Sequence, residues 1–143
     1  MDRSERAVEH FQSGLNCAQA VFVSFVDDTM DEDLACHLSA GFGGGMGRTA
    51  NVCGAVTGAI LALGLLGRDS DSKELRCRLR AYLRVQEFCR EFEEKHGTLT
   101  CRGLLGYDIS TPEGCDQIEH EGLIHSRCPA FVSDAVKIVE DIL

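Results

Sequence analysis

Basic residues are scarce in this 143-residue chain: 14 lysines and arginines face 23 aspartates and glutamates, for a net charge of −9. Binding to a phosphate backbone needs a basic face, and the arginines here are dispersed among acids, so nucleic acid is not expected as a partner. A long apolar run is also missing. The most apolar stretch, residues 52–66, holds 15 residues and three glycines, short of the roughly 20 that a helix needs to cross a bilayer. It reads as a buried core helix, and no membrane span is expected. The opening MDRSERAVEHFQSG has no apolar signal core, which points to a cytoplasmic address. Only two prolines and no low-complexity run are present, while 44% of the residues are hydrophobic. Linkers are not evident, so one compact domain over residues 1–143 with a sizeable core is expected.

Cysteine, by contrast, is abundant, with eight residues. In a reducing compartment that number points to metal or redox chemistry more than to disulfides. Any single cysteine is more often a buried small hydrophobe than a ligand, so the question is which subset departs from that role. No C-x-x-C pair occurs, so the close spacing that announces zinc ribbons and thioredoxin-like sites is absent. No H-x-x-x-H pair occurs either, and surface or capping roles suit all five histidines. His125, three residues before Cys128, is the one placed to act as a replacement ligand or proton donor.

Apolar spacing at Ala7, Val8 and Phe11 predicts a helix over 4–13, stopped by Gly14. Asn16 caps a second, apolar helix whose first residue is Cys17. Asp31 caps a third, EDLACHLSA, with Leu34, Ala35 and Leu38 on one face and Cys36 mid-helix. A glycine-rich loop follows, and Asn51 is read as the cap of the apolar helix, with Cys53 in its first turn. The polar linker RDSDS leads to a long helix over 73–96, with Asp71 and Glu74 spaced as a capping box and Gly97 as the stop. On that helix Cys89 shares a stripe with Leu75, Leu79 and Tyr82 and is expected in the core, whereas Cys77 lies on a polar side. Thr100 caps a short turn beginning at Cys101, and Thr111-Pro112 opens a helix carrying Cys115. Cys128-Pro129 is read as the start of the last helix, with Phe131, Val132, Ala135, Ile138, Val139 and Ile142 on one face. No segment reads convincingly as a strand. The fold class is therefore all-α: a single-domain bundle of about six to seven helices with a Gly-rich loop.

Four cysteines share a predicted helix N-terminus: Cys17, Cys53, Cys101 and Cys128. Helix starts lower a thiol pKa and stabilise negative charge, as thiolate ligands or a redox-active thiol require. Four is also the number of thiolates in an all-cysteine zinc site or around a [2Fe-2S] cluster. The glycine loop fails the phosphate-binding motifs, since Phe42 and Arg48 stand where a Walker A loop needs Gly and Lys. Two readings of it remain: a mobile turn, or backbone at Gly43, Gly44 and Gly45 laid close over a bound group with its N–H groups donating. Gly54 and Gly58 keep the apolar helix thin, so that another backbone or a bulky inorganic group can approach. That thin face can pack within the monomer or against a twin, which makes a homodimer an open expectation.

These residues resemble the C_GCAxxG_C_C family of redox-active proteins. The matching pieces are Cys17 in GLNCAQAV, FGGGMG at 42–47, Cys53 in CGAVTG, Cys101 in CRGLLGYD and Cys128 in RCPAFV, and they span nearly the whole chain. The resemblance implies a redox role. The same unit looks like part of the split-Soret cytochromes c, where it is coupled to haem and an iron-sulfur centre, but this chain has no C-x-x-C-H and covalent haem is not expected. Cys36, Cys77, Cys89 and Cys115 match nothing in the family pattern. The leading expectation is an iron-sulfur cluster, [2Fe-2S] favoured, held by Cys17, Cys53, Cys101 and Cys128 in a protein that exchanges electrons with a redox partner. The alternatives are a metal-free thiol-disulfide oxidoreductase and a structural zinc domain that binds a partner.

Overall fold

Capping side chains set most of the helix starts. Asp2 opens α1 (Arg3–Gln12) with a reciprocal box to Glu5, and Asn16 opens α2 (Cys17–Val23) with the same box to Gln19. Asp31 accepts the Leu34 N–H to start α3 (Glu32–Ser39). A 3₁₀ turn, Ala40–Phe42, then leads into the glycine turn Gly43–Met46. The apolar helix α4 (Gly54–Leu66) and the long α5 (Leu75–His96) follow, and Gly97 closes α5 in the left-handed conformation. Thr100 caps the short α6 (Cys101–Leu105), and Thr111 with Pro112 starts α7 (Pro112–Glu121). The last helix, α8, spans Leu123–Ile142.

The chain is thus all-α, as its periodicity predicts, with eight helices among the residues that the computed structural model describes, 1–67 and 73–143. Between helices the described residues pair as strands only at one isolated antiparallel bridge, Val52 with Thr100. No described helix is long and apolar enough to cross a membrane. The linker RDSDS and the Asp71 half of the expected capping box lie outside the described residues. Glu74 is itself the N-cap of α5, without a side-chain capping bond.

Helices α2, α4 and α8 touch one another at the centre, with α1 across α8, α3 outside α2 and α5 against both α4 and α8. Their facing side chains, among them Val21, Phe25, Val56, Val132 and Val139, are essentially inaccessible. Each such burial contributes about 1.5–3 kcal/mol. Between α2 and α4 the backbones themselves meet. A Cβ on Gly58 would stand 2.6 Å from the Ala18 carbonyl oxygen, so this glycine exists for the α2–α4 approach. Gly58 therefore packs within the monomer, and it is not among the residues that line the cavity described below.

Four local expectations change. Cys128-Pro129 does not begin the last helix: α8 starts five residues earlier, at Leu123 behind the left-handed Gly122, and Pro129 sits inside it. Pro129 brings no N–H to the His125 carbonyl one turn back, and His125 is exposed, so solvent can take that acceptor. Asn51 does not cap α4, because its amide donates to Thr49 Oγ1 at 2.9 Å and Cys53 itself occupies the N-cap. Leu34 and Leu38 are half exposed, and only Ala35 on that face of α3 is buried. Leu75, Leu79 and Tyr82 are exposed too, leaving Cys89 half-buried beside a core anchored instead by Phe88 and Phe92.

The glycine turn is built left-handed. Gly44, Gly45, Met46, Gly47 and Arg48 all have φ between 64° and 72°, and Ala50 has φ 61°. Hydrogen bonds from Gly47 N–H to Gly43 O and from Asn51 N–H to Gly45 O, both 2.9 Å, hold it. Left-handed backbone costs a residue with a Cβ roughly 1–2 kcal/mol. Met46→Gly, at an exposed position with φ 69°, is therefore expected to stabilise the fold by about 1 kcal/mol. Thermal unfolding by circular dichroism reads this directly, and an unchanged or lowered midpoint contradicts it.

Candidate functional site: a four-cysteine cavity

A cavity of about 630 Å³ opens between the glycine turn and the starts of α2, α4 and α6, with α8 closing the far side. Cys17, Cys53, Cys101 and Cys128 all line it. So do Gly43, Gly44, Gly45 and Gly54, and so does His125. Phe131, Leu104, Leu105 and Ile109 supply apolar wall, and the lining contains no carboxylate.

Each cysteine arrives there by a different local device. Cys17 is the first residue of α2; Asn16 fixes that start and also donates through Nδ2 to the Ala40 carbonyl at 2.9 Å, tying α2 to the end of α3. Cys53 and Cys101 come together through a short backbone strap. Cys53 N–H donates to Leu99 O at 2.8 Å and Cys101 N–H to Asn51 O at 2.6 Å, on either side of the Val52–Thr100 bridge. Arg102 locks the strap by donating to Ala50 O and to Asn51 Oδ1, each at 3.3 Å. Cys128 projects from within α8, one turn after His125. The helix-start rule thus holds for Cys17 and Cys101, shifts by two residues at Cys53, where the cap moves from Asn51 to Cys53 itself, and fails at Cys128, which proximity in the fold brings to the same cavity.

Two glycines make room for sulfur and backbone. A Cβ on Gly54 would collide with Cys17 Sγ, and one on Gly45 would stand 2.7 Å from both the Asn51 nitrogen and Cys101 Cβ.

The four thiols differ electrically. Cys17 is brought down to about 7, first by a hydrogen bond from Cys53 and then by the backbone N–H groups of Gly44 and Ala18, against the opposing effect of burial. Cys53 moves well up, because its proton is held in the bond to Cys17 and its sulfur is buried. Burial, and then the nearby Cys17 charge, push Cys101 up to about 11 and Cys128 up to about 12. In the metal-free reduced protein, Cys17 is therefore expected to alkylate ahead of the other three, with half-maximal rate near pH 7. Iodoacetamide labelling with peptide mass spectrometry across pH 5 to 10, roughly the span of thiol titration, checks this; equal labelling of the four contradicts it.

Neither Cys36, Cys77, Cys89 nor Cys115 lines the cavity. Cys115 comes nearest, its sulfur 4.0 Å from an Nη of Arg48, which does line it. Arg48 and Arg102 were not legible as site residues, because an arginine in a left-handed turn and one bracing a strap have no local sequence signature. Among the described residues, no set of three or more His, Cys, Asp or Glu side chains converges closely enough to grip a single metal ion.

Fold and site together define a small all-α, cysteine-rich protein with four of its eight cysteines gathered on one glycine-lined cavity. Residues 15–142 match the family model described as "Putative redox-active protein (C_GCAxxG_C_C)", and the chain belongs to that family. It is also similar to an uncharacterized protein of Archaeoglobus fulgidus, 29% identical over 143 aligned residues that cover 93% of this chain and 87% of that protein. No solved structure gives a significant match.

Proposed function

We propose that this protein carries electrons through an iron-sulfur cluster, [2Fe-2S] favoured, held by Cys17, Cys53, Cys101 and Cys128. The observation that carries the reading is that four cysteines from four separate elements wall one cavity. The donors suit the group, since soft thiolates without carboxylates favour iron-sulfur chemistry over magnesium or calcium. A cavity of about 630 Å³ between the four cysteines leaves room for a group of several atoms.

Bound there, the cluster supplies one-electron exchange. The chain's own residues then set its surroundings. Gly44 and Ala18 donate N–H bonds to Cys17 sulfur, which stabilises negative charge on it. Phe131, Leu104 and Leu105 keep water from the inner wall. Because three of the four thiols hold their protons, loading releases protons and is favoured as pH rises.

Purification without oxygen, with iron, sulfide and zinc analysis and an absorption spectrum before and after dithionite, tests the reading. Iron and sulfide with visible absorption that bleaches on reduction support it. A colourless protein with one zinc per chain replaces it with a structural zinc domain.

One observation favours a second reading, a metal-free dithiol. Cys17 Sγ lies against Gly54, the residue next to Cys53, and Cys17 is the cavity thiol with the lowest pKa. Two-electron oxidation would join the Cys17 and Cys53 sulfurs, with both electrons and both thiol protons passing to an external disulfide or quinone that is reduced to a dithiol or quinol. A colourless, metal-free protein that reversibly loses these two thiols would establish it.

A further inference from the structure

Two helix faces have no cover among the described residues, and they carry opposite charge. The first turns of α5 expose Leu75, Leu79, Tyr82 and Leu83 by 48–63%. At 100° per residue these four form one stripe, turned away from the buried Phe88 and Phe92 that anchor the same helix. Arg76 and Arg78 flank it. On α3, Leu34 and Leu38 stand one turn apart, 50% and 51% exposed, while Ala35 and Ser39 face the core. Asp33 flanks that pair, and with Asp31 at the N-cap and Glu32 in the first turn it makes this end of α3 acidic.

Single exposed apolar residues need no account. These six, however, are the majority of the ten large exposed apolar side chains described, and they fall on two stripes. The glycine-bearing face of α4, which sequence reading offers as a possible twin contact, is spent at Gly58 on α2 and leaves the question of self-association to these surfaces.

We infer that each face is covered by the other on a second copy of this chain, α5 of one protomer lying on α3 of the next. Charge decides the pairing. Two α5 stripes in contact set arginine against arginine, and two α3 stripes set acid against acid; only the crossed contact brings Arg76 and Arg78 to the acidic end of α3, where the exposed pairs Arg76–Glu74 (3.7 Å) and His37–Asp33 (3.6 Å) can exchange partners. Each chain therefore offers one basic apolar face and one acidic apolar face.

Analytical ultracentrifugation of the full chain over the micromolar range tests the inference. The mass is expected to rise with concentration. Leu79→Glu and Leu38→Glu, both at exposed positions, are each expected to weaken self-association at least tenfold. Mixed together they should restore a one-to-one pair, because the first retains an intact α3 face and the second an intact α5 face. If either variant misfolds by circular dichroism, Arg76→Glu/Arg78→Glu mixed with Glu32→Lys/Asp33→Lys provides the same complementation through charge alone. A wild-type chain that stays monomeric overturns the inference. So does Leu38→Glu that still self-associates, the signature of α5 on α5, and so does a mixture that forms no pair.

Discussion

Cys17→Ser is expected to abolish the iron and sulfide of the proposed cluster, and with them redox activity. Cys17 is the one thiol of the cavity that ionises near neutral pH, and it accepts hydrogen bonds from Cys53, Gly44 and Ala18. A serine hydroxyl keeps the shape but supplies no soft anionic donor, and a four-ligand shell lacking one thiolate is incomplete. Cys53→Ser, Cys101→Ser and Cys128→Ser are expected to follow. Cys36, Cys77, Cys89 and Cys115 stand outside the cavity lining, and their serine variants should keep the full metal content per folded molecule. Burial of part of Cys89 makes its loss cost on the order of 1–3 kcal/mol if the new hydroxyl lacks a partner. Iron and sulfide analysis of the eight variants, purified identically without oxygen, reads all of this. The series also separates the two proposed chemistries. A dithiol needs Cys17 and Cys53 alone, so retention of reversible oxidation in Cys101→Ser and Cys128→Ser would remove the four-ligand reading. Loss of metal in Cys115→Ser with retention in Cys101→Ser would reassign the third ligand.

Gly58→Val is expected to destabilise the fold by about 3 kcal/mol or more. Ordinarily a residue replacing glycine inside a helix gains up to about 1 kcal/mol. Here the new Cβ would meet the Ala18 backbone at 2.6 to 3.2 Å, and that backbone cannot rotate aside as a side chain can. Either α2 moves off α4 or the core opens, and because α2 begins at Cys17 the cavity is disturbed with it. Gly64→Ala is the control on the same helix. A Cβ there meets nothing within 4 Å, so this variant is expected to be more stable by about 1 kcal/mol. Urea unfolding of the two variants beside the parent gives both signs in one measurement. A neutral Gly58→Val would show that the helices do not approach as closely as the geometry states.

Caps were readable because they are local. Asn16, Asp31, Thr100 and Thr111 each bond an N–H two or three residues into their own helix, so residue type and spacing suffice to find them. The four cavity cysteines were found partly by that rule and partly by a family pattern, and the rule misplaced Cys128. A proline after a cysteine reads as a helix start, yet α8 had already begun at Leu123 and tolerates Pro129 beside an exposed turn. Asn51 failed as a cap for a related reason. Its backbone carbonyl is taken by Cys101 and its side chain by Thr49 and Arg102, partners that lie up to 51 residues away or across a turn.

By itself, then, the sequence determined what depends on near neighbours: the all-α class, most helix starts, the left-handed stop at Gly97, and a set of cysteines apart from the rest. Tertiary structure decided which apolar stripes find a partner. Leu34, Leu38, Leu75 and Leu79 repeat with the same periodicity as core residues, but burial is a property of what lies opposite, and α2 and α8 meet other faces of those helices. It also decided the cavity. Residues as far apart as Cys17 and Cys128 share one wall because Gly45, Gly54 and Gly58 let backbones close to distances that no side chain would permit, and that closeness is invisible until the chain has folded.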